Sequence, residues 1–179
     1  MQNEIVEILL TEEQIQARIK EMADQINKEY AGKNPIFVGV LRGVVVFFSD
    51  FIRQFNDYCQ IDFMCISSYR GANSTGECIM TKDTSLELRN RHVIILEDIF
   101  DTGKSLDFTY HVLQAKHPAS LKVVTLLDKP DRRKPWVTLK PDYVGFTIPD
   151  KFVVGYGLDY NERFRNLPYI AVIDPNKTK

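Results

Sequence analysis

Nine consecutive residues concentrate most of the chemistry available to this sequence: Glu97-Asp98-Ile99-Phe100-Asp101-Thr102-Gly103-Lys104-Ser105. They follow the apolar run His92-Val-Ile-Ile-Leu96. Two acids stand at the end of that run, and a third acid opens the turn that leads into the next helix. Backbone N–H groups at a helix start, with the helix dipole behind them, form an anion site. Gly103 lets the backbone approach a phosphate closely, and Thr102 and Ser105 add hydroxyl donors. Adjacent acids would repel a bare anion. They fit a ligand that also presents sugar hydroxyls or a magnesium ion. Gly103-Lys104-Ser105 copies the end of a P-loop, but that motif needs a glycine five positions before Gly103, where Asp98 stands. An acidic first helical turn that merely complements the dipole explains one or two acids, not this ordered set.

The elements around the segment read as strands alternating with helices. Thr11 with Gln14 makes a capping box, and Ile15, Ile19, Met22 and Ile26 share one helical face, predicting a helix over 11–31. The run from Pro35 to Leu41 is of buried-strand type, and Gly43 opens a second helical stretch with Phe47, Phe48, Phe51, Ile52 and Phe55 apolar. Strands are predicted over 60–67, 92–96, 121–127, 143–148, 152–156 and 169–173, and a helix over 103–116 with Leu106, Tyr110 and Leu113 inward. Residues 68–85 lack periodicity, and a long irregular stretch in a compact domain is commonly functional. This order implies βαβ units, a mostly parallel sheet and helices on both faces. Ligands in such sheets bind beyond the carboxyl ends of the strands, where the nine residues lie.

Composition narrows the function classes. The 179 residues carry 23 Lys+Arg against 24 Asp+Glu, a net charge of -1, which excludes binding nucleic acid by bulk electrostatics. No run reaches the roughly 18 apolar residues of a membrane span. The start, Met1-Gln2-Asn3-Glu4, lacks the basic region of a signal peptide, so a cytoplasmic protein is expected. Cys59, Cys65 and Cys78 form no Cys-x-x-Cys pair, so neither a disulfide framework nor a zinc site is expected. Cys65 reads as a small core residue.

The segment from Val93 to Ser105 resembles the phosphoribosyl pyrophosphate signature of type I phosphoribosyltransferases. The resemblance extends to the hypoxanthine(-guanine) phosphoribosyltransferases. Leu41-Arg42-Gly43 is similar to their pyrophosphate loop, Ser68-Tyr69 to the start of their mobile catalytic loop, and Leu127-Asp128-Lys129 to their purine-contacting lysine. Pro149 to Tyr156 and Leu158 to Arg165 are similar to their purine-binding end. The resemblance covers residues from about 36 to 173. It implies one α/β domain over 1–179 of the type I phosphoribosyltransferase fold. The core would span about 36–148, a small hood about 1–10 and 149–179, and a mobile loop about 68–85.

The resemblance also implies an activity, transfer of 5-phosphoribosyl from phosphoribosyl pyrophosphate to N9 of hypoxanthine or guanine, giving IMP or GMP and pyrophosphate. Glu97 and Asp98 would hold the ribose hydroxyls, directly or through Mg²⁺ and its waters, and Asp159 would bind a second magnesium or face the exocyclic N2 side of the purine through its carbonyl. Asp101 would be the acid/base at purine N7; the competing reading is a helix N-cap. Thr102, Gly103, Lys104 and Ser105 would cradle the 5-phosphate, although Lys104 could equally be an exposed helix lysine. Arg42, Gly43 and Arg165 would meet pyrophosphate, against surface charges otherwise. Lys129 would donate to purine O6 and select 6-oxopurines over adenine. The basic run Arg132-Arg133-Lys134 beyond it reads as a solvated turn. Phe152 would stack on the purine, against a plain core aromatic, and Val153 would offer backbone groups to the ring edge. Ser68 and Tyr69 would start a lid that excludes water. A homodimer or homotetramer is implied, with no nucleic-acid or membrane partner. Two rival readings stand against this: a nucleotide-sensing regulator, which the presence of Asp101 and the absence of a basic excess disfavour, and an adenine enzyme, which Lys129 and the Phe152 segment disfavour.

Overall fold

Strands buried on both faces lie at the centre of the molecule. The computed structural model describes residues 4–68 and 78–175. Its strands are β1 (Ile5–Leu10), β2 (Ile36–Leu41), β3 (Gln60–Ser68), β4 (Cys78–Lys82), β5 (His92–Phe100), β6 (Ser120–Asp128), β7 (Tyr143–Thr147), β8 (Val153–Val154) and β9 (Ile170–Ile173). The helices are α1 (Glu12–Tyr30), α2 (Val45–Ile52) and α3 (Lys104–Gln114). The large sheet has the order β4-β3-β2-β5-β6-β7. All its pairs are parallel except β4 against β3.

Side-chain alternation along these strands sorts the core into two layers. Phe37, Ile94, Leu96 and Val124 pack with α1 and α2 on one face. Ile36, Val38, Val93, Ile95 and Val123 pack with α3 on the other. The capping box closes the start of α1: Gln14 N donates to Thr11 Oγ1 at 3.3 Å, and Thr11 N to Gln14 Oε1 at 2.9 Å. Ile15, Ile19, Met22 and Ile26 are buried along its inner face.

Several expected boundaries differ. The stretch read as irregular over 68–85 contains β4, a short edge strand with only a weak apolar pattern. Residues 69–77, and with them Tyr69, lie outside the described residues. Ser68 is the last residue of β3. The second helix starts at Val45 and ends at Ile52, before the buried Phe55. Tyr110 is half-buried against the α3-side core rather than fully inward. Cys65 is half-buried, not a core residue. β5 runs four residues past Leu96, so Glu97 and Asp98 sit within the strand. The cause is β6, which keeps pairing as far as Phe100 opposite Asp128 after β2 has stopped at Gly39 opposite Leu96.

A second, antiparallel sheet of order β1-β9-β8 forms the hood. Leu10, Val153, Ile170 and Val172 join it to the main core. A polar cluster adds a brace: Tyr156 donates its hydroxyl to Asp50 Oδ2, to which Gln16 Nε2 also donates at 2.8 Å. No helix among the described residues is long and apolar enough to cross a membrane.

Asp62 in β3 anchors the segment that follows β4. Its Oδ2 accepts from Ser85 N at 2.6 Å and Leu86 N at 2.8 Å, and its Oδ1 accepts from Phe63 N at 2.7 Å. Burial raises its pKa, but these backbone donors and Lys82 outweigh burial and hold it below the ordinary value. A depressed folded-state pKa stabilises the fold above the unfolded value of about 4, and that stabilisation is lost as pH falls through the folded value. Asp62→Asn is therefore expected to cost about 1–3 kcal/mol at pH 7. In thermal melts from pH 7 downward, the gap between wild type and variant should close in acid. A constant gap would contradict the assignment.

Candidate active site

The chain reverses the side on which its helices pack between β2 and β5. The helix after β2 lies on one face and the helix after β5 on the other. Such a switch point leaves a crevice beyond the strand ends. The Leu41–Arg42 peptide, which is cis, and Gly43 enter it from β2. Glu97 and Asp98 enter from β5. The fit is close: a Cβ on Gly43 would lie 1.8 Å from Asp98 Oδ2, and one on Gly157 would lie 2.0 Å from the Gly43 carbonyl oxygen. Glycine at both positions lets the loop after β2 sit between the strand acid and the hood.

A cavity of about 630 Å³ occupies the crevice, lined among others by Arg42, Gly43, Asp98, Asp101, Lys129 and Phe152. Val153, Asp159 and Arg165 also line it, so nine of the expected site residues meet there. A smaller hollow of about 90 Å³ adjoins it, lined by Glu97, Asp101, Thr102, Gly103 and Ser105. Lys104 opens α3 but lines neither cavity. Asp101 lines both.

Asp101 does not cap the helix. The N-cap of α3 is Gly103, at φ 87°, with no side-chain cap. Gly103 is needed there, because a Cβ would meet Val137 Cγ1 at 2.8 Å. Asp101 Oδ1 is buried without a hydrogen-bond donor, and Arg132 Nε stands 3.4 Å from it. Glu97 is 6% exposed, and its Oε2 also has no donor. Burial, and then the charge of Asp98, push the Glu97 pKa well above the ordinary value. Burial pushes Asp98 up to about 6, against the backbone donor Ile99 N, 2.8 Å from its Oδ1. Buried acids of this kind favour hydroxyl donors or a cation.

Lys129 is 5% exposed, with Nζ donating to the Lys151 carbonyl at 2.8 Å. Phe152 is 42% exposed and packs edge-on against Tyr160 with ring centroids 5.3 Å apart, which removes the core-aromatic reading. Val153 is buried in β8, an edge strand of the hood sheet. Asp159 Oδ1 pairs with Arg165 Nη2 at 2.8 Å, and Arg165 Nη1 donates to the Gly157 carbonyl at 2.8 Å. The Arg42 side chain is 70% exposed and meets Glu162 Oε1 at 2.7 Å.

The basic run after Lys129 is only in part a solvated turn: Arg132 and Lys134 are exposed, whereas Arg133 is half-buried. The 3₁₀ turn Pro130–Arg132 folds it back over residues 100–103. Arg133 Nη1 donates to the Asp101 carbonyl at 2.9 Å, its guanidinium lies 3.0 Å from the centre of the Phe100 ring, and Nη2 pairs with Asp128. Arg132 lines the large cavity. The available signal was position: three cations in a turn opened by Pro130, directly after a central strand's carboxyl end. Glu162 was also missed.

A mostly parallel sheet beside a small antiparallel one, with two acids near the end of β5 and a glycine turn opening α3, is the fold of the type I phosphoribosyltransferase class. The phosphoribosyl transferase domain family matches residues 6–161, and the chain belongs to that family. It is 49% identical over 176 residues to the hypoxanthine-guanine phosphoribosyltransferase of Staphylococcus aureus, covering 98% of this chain and 97% of that protein. The crystal structure of a hypoxanthine phosphoribosyltransferase from Staphylococcus aureus superposes with a TM-score of 0.93 at 47% identity, over 100% of this chain and 97% of the other. The hypoxanthine phosphoribosyltransferase of Trypanosoma cruzi, in complex with the product IMP, gives 0.88 at 42% identity, over 97% and 96%. Against the bifunctional protein TilS/HprT of Listeria innocua the identity is 44%, and the match spans 98% of this chain but only 27% of that relative.

Proposed function

We propose that the chain transfers 5-phosphoribosyl from phosphoribosyl pyrophosphate to N9 of a 6-oxopurine, hypoxanthine or guanine, in purine salvage. The bond from C1 of the ribose to N9 forms, the bond from C1 to pyrophosphate oxygen breaks, and the N7 proton leaves the ring. The observation that carries this reading is Asp101: a carboxylate that does not cap α3 and has a buried oxygen that accepts no hydrogen bond, lining both the large cavity and the smaller hollow. It accepts the N7 proton as N9 attacks. The Lys129 ammonium donates to O6, Phe152 covers the ring face, and Val153 offers its backbone to the ring edge. The 5-phosphate sits on the turn from Thr102 to Ser105 in the smaller hollow. The ribose hydroxyls donate to Glu97 and Asp98, which relieves the donor-free Glu97 oxygen. Arg42 and Arg165 take the departing pyrophosphate.

Magnesium fits this set. Mg²⁺ uses few carboxylates, keeps several waters and binds substrate phosphates. Among the described residues no cluster of three or more His, Cys, Asp and Glu could hold a metal alone. Glu97 and Asp98 would hold it together with the ligand, where it would neutralise charge on the leaving group, and Asp159 would hold a second ion. A cytoplasmic location and a homodimer or homotetramer belong to the same reading.

The test is formation of IMP from hypoxanthine and phosphoribosyl pyrophosphate, followed by chromatography with and without EDTA. IMP is expected with magnesium and none after chelation. Full activity in EDTA would refute the metal's part, and no IMP under either condition would refute the transfer.

A further inference from the structure

Glu162 bridges the two arginines assigned above to pyrophosphate. Its Oε1 accepts from Arg42 Nη2 at 2.7 Å, and its Oε2 from Arg165 Nη2 at 3.2 Å. A carboxylate shared by two guanidinium groups offers them the paired anionic oxygens that a phosphoryl group would offer.

The residue that carries this carboxylate departs from local turn chemistry. Tyr160 N donates to the Arg163 carbonyl at 3.2 Å and Arg163 N to the Tyr160 carbonyl at 3.1 Å. Between them Asn161 has φ 53° and Glu162 φ 61°. Two left-handed central residues make a type I′ turn, whose preferred sequence is Asn-Gly. Asn161 suits its position, whereas a Glu at the second is strained where glycine would not be. The turn does not need the side chain, since the bond from Glu162 N to Asp159 Oδ2, at 2.9 Å, is made by the backbone. A residue that breaks a local rule while holding specific partners points to a functional constraint.

We propose that Glu162 is an internal competitor for pyrophosphate. Its carboxylate occupies Arg42 and Arg165 between turnovers, yields them to the arriving phosphates, and retakes them as pyrophosphate leaves. The proposal rests on the assignment of those two arginines to pyrophosphate. Without Glu162, Arg165 keeps Asp159 at 2.8 Å, so the change falls chiefly on Arg42. Exposed ion pairs are individually weak, so the expected effect is severalfold.

Magnesium pyrophosphate is titrated calorimetrically into the full chain, its Glu162→Gln and Glu162→Gly variants, and Arg42→Met, with IMP as the control ligand. Both Glu162 variants are expected to bind pyrophosphate about two- to fivefold more tightly, with IMP affinity unchanged. The Gly variant suits the turn and so is expected to fold at least as well as wild type. Arg42→Met is expected to weaken pyrophosphate. Equal or weaker pyrophosphate binding in the Glu162 variants, with Arg42→Met impaired, overturns the competitor and leaves the Arg42 assignment standing. Wild-type binding by Arg42→Met overturns that assignment and the competitor with it.

Discussion

Asp101→Asn is expected to lower kcat by about 10²–10⁴-fold while leaving KM for both substrates within a few-fold. The exchange keeps the shape of the side chain and removes its ability to take a proton. The structural cost is small because the residue has little structural work. Gly103, not Asp101, occupies the N-cap of α3. The bond from Arg133 to residue 101 goes to its backbone carbonyl, which the variant keeps. The ion pair lost is to Arg132, at 3.4 Å and half-exposed, and such pairs contribute little. A loss confined to kcat is what removal of an interaction made only in the transition state produces. Unchanged turnover would remove Asp101 from the acid/base role.

Lys129→Met is expected to lower kcat/KM for hypoxanthine by about 10²-fold or more, with little loss of whatever trace of adenine turnover exists. A fixed ammonium donates to a carbonyl oxygen and clashes with an amino group, so its removal erodes selectivity from the 6-oxopurine side. Its position supports this: Lys129 is buried yet lines the cavity, held by the Lys151 carbonyl at 2.8 Å and with Asp150 3.9 Å away. The same carbonyl loses its donor in the variant, which costs about 1–3 kcal/mol of stability. Thermal melts run beside the kinetics separate that loss from selectivity. A proportional fall for hypoxanthine and adenine would mean that Lys129 only supports the fold.

The part of the site legible in the sequence is the part written contiguously. The acids, glycine and hydroxyls of 97–105 lie on one strand end and one helix start, so their order alone brings them together. Lys129 was readable because it directly follows a buried strand. What escaped depends on how distant segments meet. No strand was predicted at β1, although the resemblance put 1–10 in the hood with 149–179: it pairs with β9 from the opposite end of the chain, and its outer residues Val6 and Ile8 are exposed, so no alternating pattern marks it. Arg132 and Arg133 have the composition of a surface turn, and only the fold-back after Pro130 brings them onto Asp101 and Phe100. Glu162 looked like one charge among several in Asn161-Glu162-Arg163, because its two partners come from the loop after β2 and from Arg165. Phe152 was ambiguous for a simpler reason: an aromatic beside a strand is as consistent with core as with a ligand face, and only its exposure decides.

The proposed site sorts charge by task, carboxylates toward sugar, metal and N7, and cations toward phosphate and O6, in a chain of net charge -1. Initial rates with phosphoribosyl pyrophosphate, magnesium and hypoxanthine, guanine, xanthine or adenine, each followed as nucleotide by chromatography, test it most directly. The predicted result is IMP or GMP from a 6-oxopurine, with adenine slower by about 10⁴-fold. Comparable rates with adenine, or no nucleotide from any base, would contradict it.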